Sequence, residues 1–385
     1  MIKVFIKVMV SEILKILTLP LYFLPIRKKC ILFTGLTGGN GYDYSCNPKY
    51  LYEYMRDHYP GQFEYIWAVS DRKKYAFLEE EGVKLIKHFT LSSIPYLLTS
   101  GVIVTNGSYA PWFPFRKKQY VINTWHGGGT YKKVENEKPD ANWATRKRAR
   151  FCADNIDLFV ASCQKQEEQM IRTTFLYEGE VLRCGTPRND KLVKNDFVKM
   201  RSRVREKYQI PQDGKIVLYA PTYRKSNLPV ELDSDRLLAC LGENWYVFSR
   251  YHRYMDDTMG IHIKGKHVID VMDYPDMQEL LVAADMLITD YSSCIWDYSF
   301  LNRPCFLYVP DKEEYTRKTG FYVSIDEWPY AQAENMEELL DHIRQYDEVV
   351  TQLRVEQHLQ KLGSYETGEC CRKIVEKICM REREK

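Results

Sequence analysis

The sequence predicts an α/β protein built of two doubly wound, Rossmann-like domains facing each other across a cleft. Three observations lead there. From Cys30 onward, short apolar runs alternate with helix-patterned stretches, the pattern of parallel sheets with helical crossovers. The 385 residues make room for two domains at about 150 residues each. The composition, 45% hydrophobic and 28% charged, is that of a globular chain and excludes general disorder; a core of this size needs no disulfide staples.

The first 29 residues form a segment of their own. Lys3, Lys7, Ser11 and Lys15 recur every fourth position, and Ile2, Phe5, Ile6, Met9, Val10, Ile13, Ile16 and Leu17 fill the rest. A narrow cationic stripe on a wide apolar face predicts an amphipathic helix lying on a membrane surface. Lys7, Glu12, Lys15, Pro20 and Pro25 interrupt the run too often for a spanning helix, and no small-residue cleavage site ends it. Arg27-Lys28-Lys29 follows as a cluster for anionic headgroups. The alternative is a helix docked on the protein's own surface.

Strands are expected at Cys30–Phe33, Phe63–Val69, Val102–Thr105, Tyr120–Trp125, Leu158–Ala161, Lys215–Tyr219, Tyr246–Ser249, Val268–Asp270, Met286–Thr289 and Cys305–Tyr308. Helices fit Asn47–His58, Gln164–Phe175, Phe197–Tyr208 and Asp276–Ala284. The expected division is a membrane segment 1–29, an α/β domain 30–196, a second α/β domain 197–350 and a charged helical tail 351–385.

Net charge is +3, from 55 basic and 52 acidic residues. That near balance argues against a dedicated nucleic-acid binder, while leaving local basic clusters such as Arg116–Lys118 and Arg146–Arg150. The 11 cysteines show neither CxxC pairs nor zinc spacing, so free thiols in a reducing cytoplasm are expected, and no protein metal site.

Ligands of doubly wound folds bind beyond the carboxyl ends of the strands, and four such ends carry polar clusters. The first is Asn123-Thr124-Trp125-His126-Gly127-Gly128-Gly129-Thr130. A histidine at a strand mouth suits proton transfer at neutral pH, and glycines let backbone approach an anion. The second, Ala220-Pro221-Thr222-Tyr223-Arg224, offers a hydroxyl and a guanidinium that suit phosphate. The third is Arg250-Tyr251-His252-Arg253. Two arginines disfavour the imidazolium of His252 unless an anion such as a diphosphate neutralises them. The fourth, Thr289-Asp290-Tyr291-Ser292-Ser293, opens a helix with hydroxyls and unpaired amides. Taken singly, these read equally as a tight turn, a loop, a solvated basic segment and a helix cap. Gly35–Gly41 does not fit the dinucleotide fingerprint, and neither a P-loop nor GxSxG occurs.

Together, and with Gly185-Thr186-Pro187-Arg188-Asn189-Asp190 between the first and second clusters, the motifs follow an order that resembles the CDP-glycerol glycerophosphotransferase family of teichoic acid primases and polymerases. The resemblance covers residues 30–350, and Asn47-Pro48-Lys49 with Tyr52 also looks like a family element. It implies a GT-B-like fold, an acceptor-side first domain and a second domain that binds CDP-glycerol or another CDP-alditol. It implies a peripheral enzyme on the cytoplasmic side of the plasma membrane, acting on a lipid-linked or polymeric glycan of teichoic or capsular type. His126 takes the place of the base, and His252 that of a donor-phosphate ligand. Gly127, Gly128, Thr130, Arg188, Asn189, Thr222, Arg224, Arg250, Thr289, Asp290, Ser292 and Ser293 are the expected substrate-binding residues. No cofactor is expected, although a donor diphosphate can carry Mg²⁺. Many relatives read His-Gly-Thr-Pro-Leu-Lys where this chain reads His126-Gly127-Gly128-Gly129-Thr130-Tyr131-Lys132. The altered loop leaves the acceptor open more than the reaction. A GT-B glycosyltransferase using a nucleotide sugar, and an inactive membrane-surface scaffold, are the rival readings; release of CMP separates the expected reaction from both.

Overall fold

The computed structural model describes residues 13, 16, 18–37, 41–88, 90–109, 113, 115–138, 141–222, 230–251 and 267–383. The chain divides into two compact units. The first comprises Met1–Gly127, Val134–Asp190 and Tyr365–Lys385; the second comprises Gly128–Lys133 and Lys191–Ser364.

The first unit is built on strands β1 (Arg27–Thr34), β4 (Glu64–Val69), β5 (Lys84–Lys87), β6 (Ser100–Thr105), β7 (Tyr120–Asn123), β8 (Leu158–Ala161) and β9 (Glu180–Arg183), with a small hairpin of β2 (Leu36–Thr37) and β3 (Gly41–Tyr42) after β1. The sheet order is β5-β4-β1-β6-β7-β8-β9, and every pairing in it is parallel. Successive side chains of a strand point to opposite faces. Ile31, Phe33, Trp67 and Val104 therefore meet one layer, while Leu32, Ile66, Ile103 and Val121 meet the other. The first layer includes Leu51, Tyr52 and Met55 of the helix Cys46–His58, and Ile374, Val375 and Ile378 of the helix Cys370–Arg383. Coverage on both faces explains why β6 is buried along its whole length and carries Val102, Ile103 and Val104 in a row.

The second unit holds β10 (Lys215–Tyr219), β11 (Trp245–Ser249), β12 (Val268–Asp270), β13 (Met286–Thr289), β14 (Cys305–Tyr308) and β15 (Ala331–Ala333), in the order β12-β11-β10-β13-β14-β15, again all parallel. Its core gathers Val217, Tyr219, Val247, Ile288 and Phe306 against Met336, Leu339 and Leu340 of the helix Met336–Arg344.

Both sheets reverse direction next to their first strand. In the first unit the reversal lies between β1 and β6, and in the second between β10 and β13. Crossovers leave that point on opposite faces, so the strand ends beside it open into a crevice.

Several expectations change. The amino-terminal amphipathic helix lies outside the described residues except for Ile13, Ile16 and Thr18, and no described helix is long and apolar enough to cross a membrane. Arg27, Lys28 and Lys29 are the opening residues of β1; Arg27 pairs with Glu64 of the neighbouring strand at 3.0 Å, while Lys28 and Lys29 are exposed. Arg116 is likewise engaged, donating to the Tyr22 and Leu24 carbonyls at 2.7 Å each. The tail 351–385 is not a separate element. The helix Glu348–Leu362 belongs to the second unit, whereas Cys370–Arg383 completes the core of the first, because its apolar face matches the sheet layer left open by the earlier helices. The helix at Gln166–Thr174 is widened, with Phe175 N bonding back five residues to the Met170 carbonyl.

Candidate active site

In the first unit, β7 ends at Asn123 and the chain turns sharply through Thr124, Trp125 and His126. Trp125 has φ +48°, a left-handed conformation that costs a bulky residue about 1–3 kcal/mol and persists only where neighbours hold it. They do. Trp125 N donates to Asn123 Oδ1 at 2.8 Å, and Asn47 Nδ2 donates to the carbonyls of Thr124 (3.0 Å) and Trp125 (2.7 Å).

The turn aims an exposed imidazole. His126 Nδ1 lies 2.9 Å from the Asn106 carbonyl, one residue past β6. A carbonyl only accepts, so Nδ1 carries the proton, and the lone pair of the neutral ring is on Nε2. The supporting carbonyl is itself fixed: Asn106 is fully buried, and its side chain accepts from Leu36 N at 2.7 Å and donates to Leu36 O at 3.1 Å.

The loop after β9 closes the same cluster. Arg188 Nη1 donates to the His126 carbonyl at 2.6 Å, and Gln166 Nε2 to the Gly127 carbonyl at 2.7 Å. Glu366 accepts from Thr186 N (3.0 Å), Thr186 Oγ1 (3.0 Å) and Asn189 Nδ2 (3.1 Å). Asp190 accepts from the Cys370 and Cys371 amides at 2.9 and 2.7 Å. Arg188 and Asn189, expected to bind substrate, are 7% and 0% exposed and act on protein groups here.

Residues 128–133 belong to the second unit. A Cβ on Gly128 would lie 2.0 Å from Trp296 Cδ1, so glycine at this position makes room for that indole. Thr130 has φ +57°, and its buried hydroxyl has no hydrogen-bond partner among the described residues. Tyr131 Oη donates to His358 Nε2 at 3.1 Å, while His358 Nδ1 donates to the Glu327 carbonyl at 3.1 Å. Burial pushes the His358 pKa down to about 4, in keeping with a neutral ring that both donates and accepts.

The second unit brings the other predicted residues to the ends of β11, β10 and β13, three adjacent strands. The Asp290 carboxylate, 1% exposed, receives Thr222 N at 2.9 Å on each oxygen and Thr222 Oγ1 at 2.6 Å. Thr289 Oγ1 donates to the Ala220 carbonyl at 2.7 Å. These bonds lace the end of β10 to that of β13 across the point where the sheet reverses. Arg250 Nη1 donates to the carbonyls of Val271 (3.3 Å) and Tyr274 (2.7 Å). Ser292 and Ser293 are half-buried at the start of the five-residue helix Cys294–Tyr298, with Ser292 Oγ accepting from Cys294 N at 3.3 Å. Arg224 and His252 lie outside the described residues. Among the described residues, no three His, Cys, Asp or Glu side chains gather as metal ligands do.

Sequence reasoning missed Asn106, Gln166 and Glu366. Asn106 carried one usable signal, a polar residue directly after a strand with an apolar centre; Glu366 carried none, since it acts on a loop 180 residues away.

A family model described as CDP-glycerol:poly(glycerophosphate) glycerophosphotransferase matches residues 17–380. The chain belongs to this family of transferases. A teichoic acid poly(glycerol phosphate) polymerase of Bacillus spizizenii is 26% identical over 375 residues, covering 92% of this chain and 93% of the relative. The like-named Bacillus subtilis protein is 29% identical over 337 residues, covering 84% of this chain but 44% of the relative. The chain thus spans less than half of one relative and nearly all of the other. The structure of the wall teichoic acid polymerase TagF matches with a TM-score of 0.81 at 25% identity, covering 100% of this chain and 99% of that one. The fold is therefore the GT-B-like arrangement of parallel α/β sheets expected from the sequence. A UDP-GlcNAc 2-epimerase of Neisseria meningitidis shares the general fold at a TM-score of 0.55 and 12% identity, over 91% of this chain and 99% of that one.

Proposed function

We propose that this protein transfers glycerol phosphate, or a related alditol phosphate, from its CDP carrier to a hydroxyl of a teichoic acid acceptor, releasing CMP. The observation that carries this reading is His126: a chain of this family holds an exposed imidazole at a strand end with Nδ1 committed to the Asn106 carbonyl. Nε2 is then the atom that takes the proton of the acceptor hydroxyl. The acceptor oxygen forms a bond to the phosphorus that bears the alditol. The bond from that phosphorus to the bridging oxygen breaks, and CMP leaves with the electron pair. Such a reaction is mainly a matter of placement and charge.

The donor site is proposed at the ends of β10, β11 and β13, where Thr222, Thr289, Asp290, Ser292 and Ser293 form the rim of the crevice. Arg224 and His252 are proposed to complete it. The acceptor is proposed to be a lipid-linked or polymeric glycan, with the enzyme peripheral on the cytoplasmic membrane face. Exposed Ile13, Ile16, Leu19 and Phe23 support that placement, Phe23 being 93% exposed.

The test is incubation with CDP-glycerol and CDP-ribitol, each with a panel of lipid-linked and polymeric acceptors, followed by mass spectrometry. Stoichiometric CMP and an acceptor heavier by one or more alditol phosphates are expected. Release of a nucleoside diphosphate from a nucleotide sugar, or no product from any pair, would overturn the reading.

A further inference from the structure

The motif Asn47-Pro48-Lys49 has no place in the chemistry above, yet Asn47 is fully buried beneath the turn that carries His126. It sits in the first turn of the helix Cys46–His58. Its carboxamide uses both ends: Nδ2 donates to the Thr124 and Trp125 carbonyls, and Oδ1 accepts from Arg188 N at 3.2 Å.

The peptide between Trp125 and His126 sets the direction in which the His126 side chain leaves the backbone. Its carbonyl is the one Asn47 grips at 2.7 Å. The peptide after His126 is gripped by Arg188 Nη1, and the backbone of Arg188 is held in turn by Asn47. Both peptides flanking the imidazole are therefore tied to one side chain, one directly and the other through Arg188. The left-handed Trp125 before them is a conformation the isolated chain would abandon.

We propose that Asn47 is a positioning residue for His126: by clamping this turn it keeps Nδ1 on the Asn106 carbonyl and presents Nε2 as the basic nitrogen. The kinetic part of the proposal rests on the role given to His126 above; the geometric part does not. A residue that served only to stabilise the fold would leave the imidazole tautomer of a folded variant unchanged.

The experiment uses the full chain labelled with ¹³C,¹⁵N-histidine at about pH 8, where an ordinary imidazole is neutral. His126→Gln identifies the His126 signals by their loss. Asn47→Asp keeps the size and the acceptor but removes both donors; Asn47→Ala removes the whole clamp. Leu51→Ala, a core change in the same helix, serves as the stability control. The wild type should show His126 as the Nδ1–H tautomer. Both Asn47 variants should show a mixture of tautomers at His126 alone, with Leu51→Ala unchanged. Turnover to CMP should fall roughly 10- to 100-fold in the Asn47 variants, the cost of a small misplacement, with little change in CDP-glycerol affinity.

An unaltered tautomer in a folded Asn47→Asp protein would overturn the proposal. So would failure of both Asn47 variants to fold while Leu51→Ala folds, because Asn47 would then be structural. A wild type that makes no CMP, but whose His126 tautomer is lost in the variants, would sink the proposed activity and leave the positioning role standing.

Discussion

The two sheets are wound alike, yet their strand ends are finished by different chemistry. In the first unit, amides and one guanidinium grip backbone carbonyls around an exposed side chain: Asn47, Gln166 and Arg188 all donate to the chain at residues 124–127. In the second, a buried carboxylate receives an amide and a hydroxyl, and Asp290 joins two neighbouring strand ends. The first arrangement aims one group and leaves it accessible. The second shapes a rim. The difference fits a division of labour in which one end moves a proton and the other holds an anion.

The largest effect that can test this division is on turnover. His126→Ala should slow CMP formation by about 10²–10⁴-fold and leave the calorimetric affinity for CDP-glycerol nearly unchanged. Near-normal turnover would erase the contrast from the first side. Asp290→Ala attacks it from the other. Thr222 then loses the carboxylate that holds its amide and hydroxyl, and CDP-glycerol binding should weaken by roughly 10-fold, about 1.4 kcal/mol. An unchanged Kd in a folded Asp290→Ala protein would make the rim a strand-end brace with no part in the donor site.

The last effect is on stability and not on binding or turnover, and it belongs to the second unit. His358 is held neutral with a pKa of about 4 in the folded chain, against about 6.5 when unfolded. Between those values the unfolded chain binds the extra proton, so acid favours unfolding. The stabilisation is complete above about pH 6.5 and declines as pH falls toward 4, by up to about 3 kcal/mol. In His358→Gln, thermal unfolding should lose less of its midpoint over that range than in the wild type. Equal slopes would show that burial does not hold His358 neutral.

The sequence was most legible where strands are buried on both faces. All ten expected strands form, because runs such as Val102-Ile103-Val104 leave no polar side to confuse the period. The strands it did not reveal are β5, β9 and β15, each at an edge of its sheet, and the two-residue strands of the hairpin. Lys84–Lys87 and Glu180–Arg183 have two apolar residues between charged ends, too few to show a period. The candidate site followed the same logic. His126 stood out by its type and its place after a strand. The groups that aim it did not, because a buried amide holding a carbonyl looks, in one dimension, like any other polar residue. What requires glycine at 128 was hidden for a related reason: the demand comes from Trp296, 168 residues away.

The helix Cys370–Arg383 has a consequence for how the protein is made. Its Cys370, Cys371, Ile374, Val375 and Ile378 fill the core of the unit whose first strand is Arg27–Thr34. A ribosome builds that helix only after the whole of Lys191–Ser364 in the second unit. Throughout synthesis of the second unit, the first lacks one wall, and Ile31, Phe33 and Val104 wait with an incomplete cover. Domains of nascent chains generally fold as units, the amino-terminal one first. Here the earlier unit cannot close until the second has been made, and the growing chain carries an apolar face in the meantime.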